Sequence, residues 1–425
     1  MAACGSASQW ACVNIAIALS IHVRTANGAF REMSPYAWAY FKNAYALFPE
    51  LMLQGNDIET VKALALMAMF GRNSADARTT SLFLSTALRI SQTLDTPCLS
   101  RVGHGKSCNA AEAEDARLTL WTAFVLDAEL SLCCGLSSGV VASDTDIDLP
   151  NEKHPYDGDD EACVSIFRQR VQLALIHSAA RTRLYSPSAF KMPESELLST
   201  VATLDQGLED WGQNLPPDAQ PGPGGMALQP HCVMLHLAFH NATSMTHWAA
   251  RRHSAWDVGI GGGLQEQSLS LMNLSRLKVR AAAQHTLRLV RESPSKQCAE
   301  FWYDYPPQIL RHQTKLHHRR TLCYPLSAAM TLLLYILDCP EDPEAEADAR
   351  LLGEFGLQIK RIHDDGDFQI SNLITAYHKL EQLAHVAINQ AQNAEGLGAA
   401  TELSQDACPH NAVQVSHFLY PGGRQ

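Results

Sequence analysis

Arg117–Pro150, RLTLWTAFVLDAELSLCCGLSSGVVASDTDIDLP, reads as one apolar helix, a glycine break and an extended acidic strip closed by proline. Leu118, Trp121, Val125, Ala128 and Leu132 recur at spacings of three and four, which is one face of a helix. Leu120 and Phe124 widen that face, so the helix is expected at the centre of the fold rather than its edge. Glu112, Glu114 and Asp115 precede it, where a helix start leaves N–H groups unpaired. Gly135 stands where a left-handed residue ends a helix. Asp127 interrupts the apolar surface. A buried acid needs a donor, and the sequence does not name one.

The 425 residues are enough for a large core or for two to three ordinary domains. With 46% hydrophobic and 18% charged residues the chain is globular rather than disordered. Lys and Arg total 33 against 44 Asp and Glu, a net charge of −11, which grips phosphate backbones poorly. The 12 cysteines form no CxxC pair and no regular framework, which fits a reducing compartment. The apolar run Ala11–Leu19 has no basic residue before it, so no secretory leader is expected. No apolar run reaches the length of a membrane span, and the expectation is a soluble intracellular protein.

Helical periodicity is expected at 10–23, 33–48, 57–70 (capped by Asn56 or Asp57 and ended by Gly71), 75–94 and 112–134. It resumes at 161–185, 194–213, 228–250, 264–292, 320–338, 343–363 and 367–392. Residues 214–225, NLPPDAQPGPGG, hold four prolines and three glycines. They break the helical pattern, either between domains or as a long loop inside one array. Gly259–Gly263 is a second flexible break, and residues 393–425 lose periodicity and read as a poorly ordered tail. No alternating strand pattern appears. The fold class is all-α, a multi-helix array with long Pro/Gly-rich loops.

Several short patterns suggest chemistry. Gly135-Leu136-Ser137-Ser138-Gly139 matches a nucleophile elbow, but that motif needs a strand before its serine, and here a helix precedes it. Asp144, Asp146 and Asp148 begin like a calcium loop, but Leu149 and Pro155 occupy the positions that need glycine and glutamate. They read instead as a solvated edge with Ile147 and Leu149 turned inward. His236, His240 and His247 could share a metal, yet no acid completes a ligand set. Asp364-Asp365-Gly366-Asp367 reads as a turn between helices. Lys315–Arg320 and Arg251-Arg252 are short basic runs that read as solvated helix ends. No catalytic residue and no metal site is assigned. Asp127, His236 and His240 remain as polar groups that could line a ligand pocket.

Taken in order, the pieces resemble the fungal-specific transcription factor domain, the middle homology region of zinc-cluster regulators. Residues 10–24, WACVNIAIALSIHVR, are similar to its early helix, and residues 57–94 to its helical pair. Arg117, Trp121, Asp127, Gly135, Asp146, Asp148 and Pro150 fall on its hallmark segment. LEDWGQNLP at 208–216 and LHLAFHNATSMTHW at 235–248 resemble its later turn and helix, and residues 324–362 its late helical pair. Two departures stand out: Ala116-Arg117 where two arginines are usual, and Gly135-Leu136-Ser137 after the helix where the family has glycine, arginine and proline.

The resemblance implies one regulatory domain over residues 1–392, missing its first helices, in a nuclear protein. Family members open with a six-cysteine zinc cluster. Only Cys4 and Cys12 precede residue 98, so no zinc or other cofactor is expected and the chain is expected to lack its own DNA reader. Its expected partners are co-regulator proteins or a DNA-binding partner, with a small-molecule effector in some members, and no membrane. The competing readings are an all-α enzyme or metabolite-binding protein, and a dimerising or inhibitory partner of a full-length regulator.

Overall fold

The computed structural model describes residues 6–24, 30–72, 77–94, 110–140, 147–150, 161–220, 230–253, 256, 266–292, 323–364 and 371–398. The fold is all-α, and among the described residues there is no strand. The first five helices are α1 (Ala7–Arg24), α2 (Phe30–Tyr45), α3 (Phe48–Gln54), α4 (Ile58–Arg72) and α5 (Ala77–Thr93). The long pair α6 (Ala110–Cys134) and α7 (Glu161–Tyr185) follows. After it come α8 (Glu194–Gln213), α9 (Pro230–Trp248), α10 (Glu266–Glu292), α11 (Cys323–Asp338), α12 (Ala345–Asp364) and α13 (Ser371–Gly398).

Neighbours in sequence are mostly neighbours in space. In the first half, α1 packs on α2 and α4, α4 on α5, and α5 on α6. Their apolar faces form one core, in which Phe70 and Phe83 are fully buried. Phe41 stacks on Phe70 with ring centres 4.5 Å apart, and Phe83 meets Phe41 edge-on at 6.5 Å. Burial of each such ring contributes on the order of 2–3 kcal/mol. Asp57 caps α4 as expected: its Oδ1 accepts the Thr60 N–H at 2.7 Å, and its Oδ2 accepts the Ser8 hydroxyl at 2.9 Å, tying α1 to the cap.

A second core gathers α8 to α13. Helices α6 and α7 belong to both. Leu118–Ala128 and Phe167, Val171 and Ala174 face the first core, while Leu132 and Leu173, Ala180 and Leu184 face the second. Helix α6 is therefore central, as its broad apolar face requires.

Most helix boundaries fall within a few residues of the expected ones, and there are three differences. Expected helix 33–48 ends at Tyr45, and Phe48 opens the separate short helix α3, with Pro49 in its first turn. A proline there has fixed φ and no N–H to lose, so it starts a helix rather than continues one. The start of the breaker, residues 214–220, is anchored rather than free. Pro217–Ala219 form a 3-10 turn, and Leu215 and Ala219 are buried in the second core. Helix α13 continues to Gly398, past residue 392. Gly259–Gly263 and residues 399–425 lie outside the described residues.

Candidate functional site

The hallmark segment folds back on itself. Gly135 has φ 67°, the left-handed value that ends α6 and reverses the chain. The reversal supplies the partner of Asp127. The Ser138 Oγ lies 2.5 Å from Asp127 Oδ2, and the Gly139 N–H donates to the same oxygen at 2.9 Å. Ser138 Oγ also lies 2.8 Å from the carbonyl of Val140, so one hydroxyl hydrogen faces two acceptors. Asp127 is 1% exposed, and its Oδ1 has no hydrogen-bond partner among the described residues. Burial pushes its carboxyl up from the ordinary range, against the pull of Ser138 and Gly139. Ser137, the serine of the elbow pattern, is exposed. The motif is a helix end that holds one oxygen of a buried acid.

Residues 147–150 lie beside α6. The indole N–H of Trp121 donates to the carbonyl of Asp148 at 2.9 Å. Ile147 and Leu149 pack against the first core while Asp148 is exposed, as the alternation implies. Pro150 is buried, and its carbonyl accepts from Arg168 Nη1 at 2.6 Å. Asp144 and Asp146 lie outside the described residues.

Helix α7 runs in the same direction as α6, with Arg170 beside Glu129 and Arg181 beside Gly135 and Leu136. Three arginines of α7 hold the segment. Arg168 takes Pro150, Arg170 forms a two-pronged pair with Glu129 at 2.8 and 3.0 Å, and Arg181 reaches the carbonyls of Leu136 at 2.7 Å and Gly135 at 3.1 Å. The Arg170–Glu129 pair is buried on both sides. The guanidinium fork matches the carboxylate geometry that a buried charge requires. Two turns beyond Arg170 on α7, His177 is fully buried. Burial lowers its pKa to about 4 despite the nearby charge of Glu129, so it is neutral in the folded protein. Arg117, the remaining hallmark residue, pairs with Glu114 one turn back on α6.

His236 and His240 do not join Asp127. His236 Nε2 donates to the carbonyl of Ala219 at 2.8 Å, which pins the anchored end of the breaker to α9. Burial lowers the pKa of His236. His240 stacks on His285 of α10, with centres 5.2 Å apart and planes 14° from parallel. Burial, then His285 and His236, bring His240 down to about 3. Among the described residues no group of three His, Cys, Asp or Glu is placed to hold a metal ion.

One arrangement escaped the sequence. Asp205 Oδ1 of α8 sits 3.0 Å from His247 Nε2 of α9, and His247 Nδ1 lies 3.0 Å from the Ser275 hydroxyl of α10. Lys278 adds contacts of 2.5 Å to both Asp205 and Glu209. Burial opposes ionisation of Asp205, but His247 and Lys278 outweigh it and hold the carboxyl below its usual range. Serine, histidine and aspartate recur in hydrolases, but here Ser275 and His247 are each 2% exposed. The group joins three helices. Its members lie 42 and 28 residues apart, so no local spacing could have shown it.

The basic pair 251–252 is absorbed into packing. Arg251 pairs with Asp338 at 3.3 Å and covers the Trp248 ring, and Arg252 covers Phe190. Lys315–Arg320 and Asp365–Asp367 lie outside the described residues. No described helix is long and apolar enough to cross a membrane.

These contacts centre on the segment that the family shares. Residues 7–212 match the family model of the fungal specific transcription factor domain. Among curated relatives, the chain is 27% identical over 400 residues to an ABC-transporter-regulating transcription factor of Aspergillus fumigatus, and 26% identical to its counterpart in Aspergillus oryzae. Each match covers 90% of this chain and 42% of the relative, so the chain spans well under half the length of these proteins. It is also 23% identical over 431 residues to the Fusaridione A cluster transcription factor of Fusarium heterosporum, covering 97% of this chain and 76% of that one. No solved structure matches the chain.

Proposed function

We propose that this chain is the regulatory part of a fungal transcription regulator, acting in the nucleus on a metabolic or secondary-metabolite pathway, and that it does not catalyse a reaction. The family match over residues 7–212 carries this reading. It takes in α1 to α7 and nearly all of α8, and with them the held segment 117–150. The names of the relatives, a regulator of an ABC transporter and a regulator of the Fusaridione A cluster, agree with it. The buried Asp127, His247 and Ser275 are spent on one another or on the backbone, which favours packing over catalysis. The chain would act through co-regulator proteins or a DNA-binding partner.

Two measurements test the reading. Fused to a heterologous DNA-binding domain, the chain should change the output of a reporter carrying that domain's site. An output equal to that of the DNA-binding domain alone would count against it. The purified chain, with its net charge of −11, should give no sequence-specific gel shift. A shift that survives salt and depends on sequence would show that it reads DNA by itself.

A further inference from the structure

Helices α11, α12 and α13 line a partly open cavity of about 210 Å³. We propose that it is a binding site for one small, uncharged, apolar molecule, on the scale of a monocyclic aromatic bearing a few alkyl carbons.

The walls are hydrocarbon. Leu326, Ala329, Met330 and Leu333 come from α11, Leu352 from α12, and Ala376, Tyr377 and Leu380 from α13. The hydroxyl of Tyr377 is already committed, donating to the Leu352 carbonyl at 2.8 Å. Glu381 is the one charged residue of the lining, and its carboxylate stands at the rim. One oxygen lies 3.2 Å from His378 Nδ1 on the outer face of α13, and the other lies over Gly353, 2.7 Å from where a β-carbon would be. A water molecule needs two to four polar partners, and this interior offers none. A dry apolar hole of about 150 Å³ takes a benzene-sized guest, so the volume here suits a slightly larger one.

The cavity is held open. Tyr377 would be the side chain to swing inward, but three contacts fix it. Its hydroxyl is bonded to Leu352, Phe355 meets its ring edge-on at 5.5 Å, and Gly356 lets the ring lie against α12. A β-carbon at Gly356 would stand 2.9 Å from that ring. Ala329, Leu333 and Leu352 are buried in the second core and form the floor. Ala376 is exposed and Glu381 partly so, which places the mouth on α13. A carboxylate at the mouth repels anions, so the site should prefer a neutral guest to its acid analogue.

The proposal stands apart from the regulatory reading, because binding is measured on the purified chain without any transcriptional output. The probe is p-xylene, with p-toluate as its anionic counterpart, and the readout is the ¹³C-methyl spectrum of the methionines, with Met330 assigned from a Met330→Leu variant. The expected result is a saturable shift of the Met330 methyl with p-xylene and none with p-toluate. Ala376→Phe, at an exposed position that should not disturb folding, should weaken p-xylene binding at least tenfold while the other methyl signals stay as in wild type. Glu381→Gln should keep p-xylene binding. No saturable shift at Met330, equal shifts across all methionines, or undiminished binding by Ala376→Phe would overturn the proposal.

Discussion

Cutting Trp121 back to alanine removes an indole that is 3% exposed, stands edge-on to Phe124 at 5.4 Å, and holds the returning strip through its bond to the Asp148 carbonyl. Loss of a buried tryptophan costs about 3–5 kcal/mol in transfer and cavity terms. The lost hydrogen bond adds about 1 kcal/mol. The exposed Asp148 can turn its carbonyl to water, so no further penalty for an unpaired acceptor is due. Trp121→Phe separates the two contributions. It keeps an aromatic ring against Phe124 but loses the donor and some volume, for a cost of about 1–2 kcal/mol. Urea melts followed by far-ultraviolet circular dichroism should show both midpoints lowered in that ratio, with slopes unchanged. Hydrogen exchange should quicken at residues 147–150 in both variants, since both release the strip. A Trp121→Ala midpoint within about 0.5 kcal/mol of wild type would show that α6 is not the shared wall of the two cores.

Other expected outcomes follow from the same contacts. Glu129→Gln or Arg170→Met alone should cost about 3–5 kcal/mol, because each breaks a buried ion pair from one side, whereas the double variant Glu129→Leu, Arg170→Met should recover most of it. Additive losses in urea melts would refute that coupling. His177, at about 4, and His240, at about 3, have folded pKa values below an unfolded value near 6.5. The unfolded chain therefore binds more protons, and stability falls as pH drops below 6.5, by about 2 kcal/mol for each histidine by pH 5. Asn at either position should remove about half of the acid loss, and an unchanged loss in both variants would refute the assignment. Asp127 has the opposite sign. Its raised pKa favours the folded state most in acid and fades as pH rises through the folded value, so Asp127→Asn should gain on wild type with rising pH. A chain cut after residue 212 should be insoluble, since Trp211 stacks on Phe239 at 5.3 Å and its N–H serves the Gln169 carbonyl at 3.0 Å. A soluble, cooperatively melting 1–212 fragment would show that the second core is dispensable.

Much of the fold is legible because helices announce themselves by local rules. The apolar period of α6, the Asp57 cap and the Gly135 stop each depend on a few adjacent residues, and each is found where those rules place it. The split at Phe48 was legible too, in Pro49, but the run of aromatics masked it. The site was less legible. That Asp127 needs a donor follows from its surroundings, but that Ser138 supplies it depends on where the chain goes after Gly135. The pairing of Glu129 with Arg170 and the Asp205–His247–Ser275 group join helices whose relative placement no spacing records. That His236 serves the Ala219 carbonyl depends on where the chain runs after Leu215, which no spacing records.

The parallel course of α6 and α7 has an electrostatic consequence. Adjacent helices that run the same way bring like ends of their dipoles together, about half a negative charge at each carboxyl end. Arg181 answers both ends. Its guanidinium takes the carbonyls of Gly135 and Leu136 just past α6, and also that of Tyr185 in the last turn of its own helix. A single cation thus neutralises two dipole termini, an effect of about 0.3–1 kcal/mol at each. Lysine keeps the charge but lacks the fork, and could serve one end at a time. Arg181 is thus one counter-ion shared by the carboxyl ends of the two central helices.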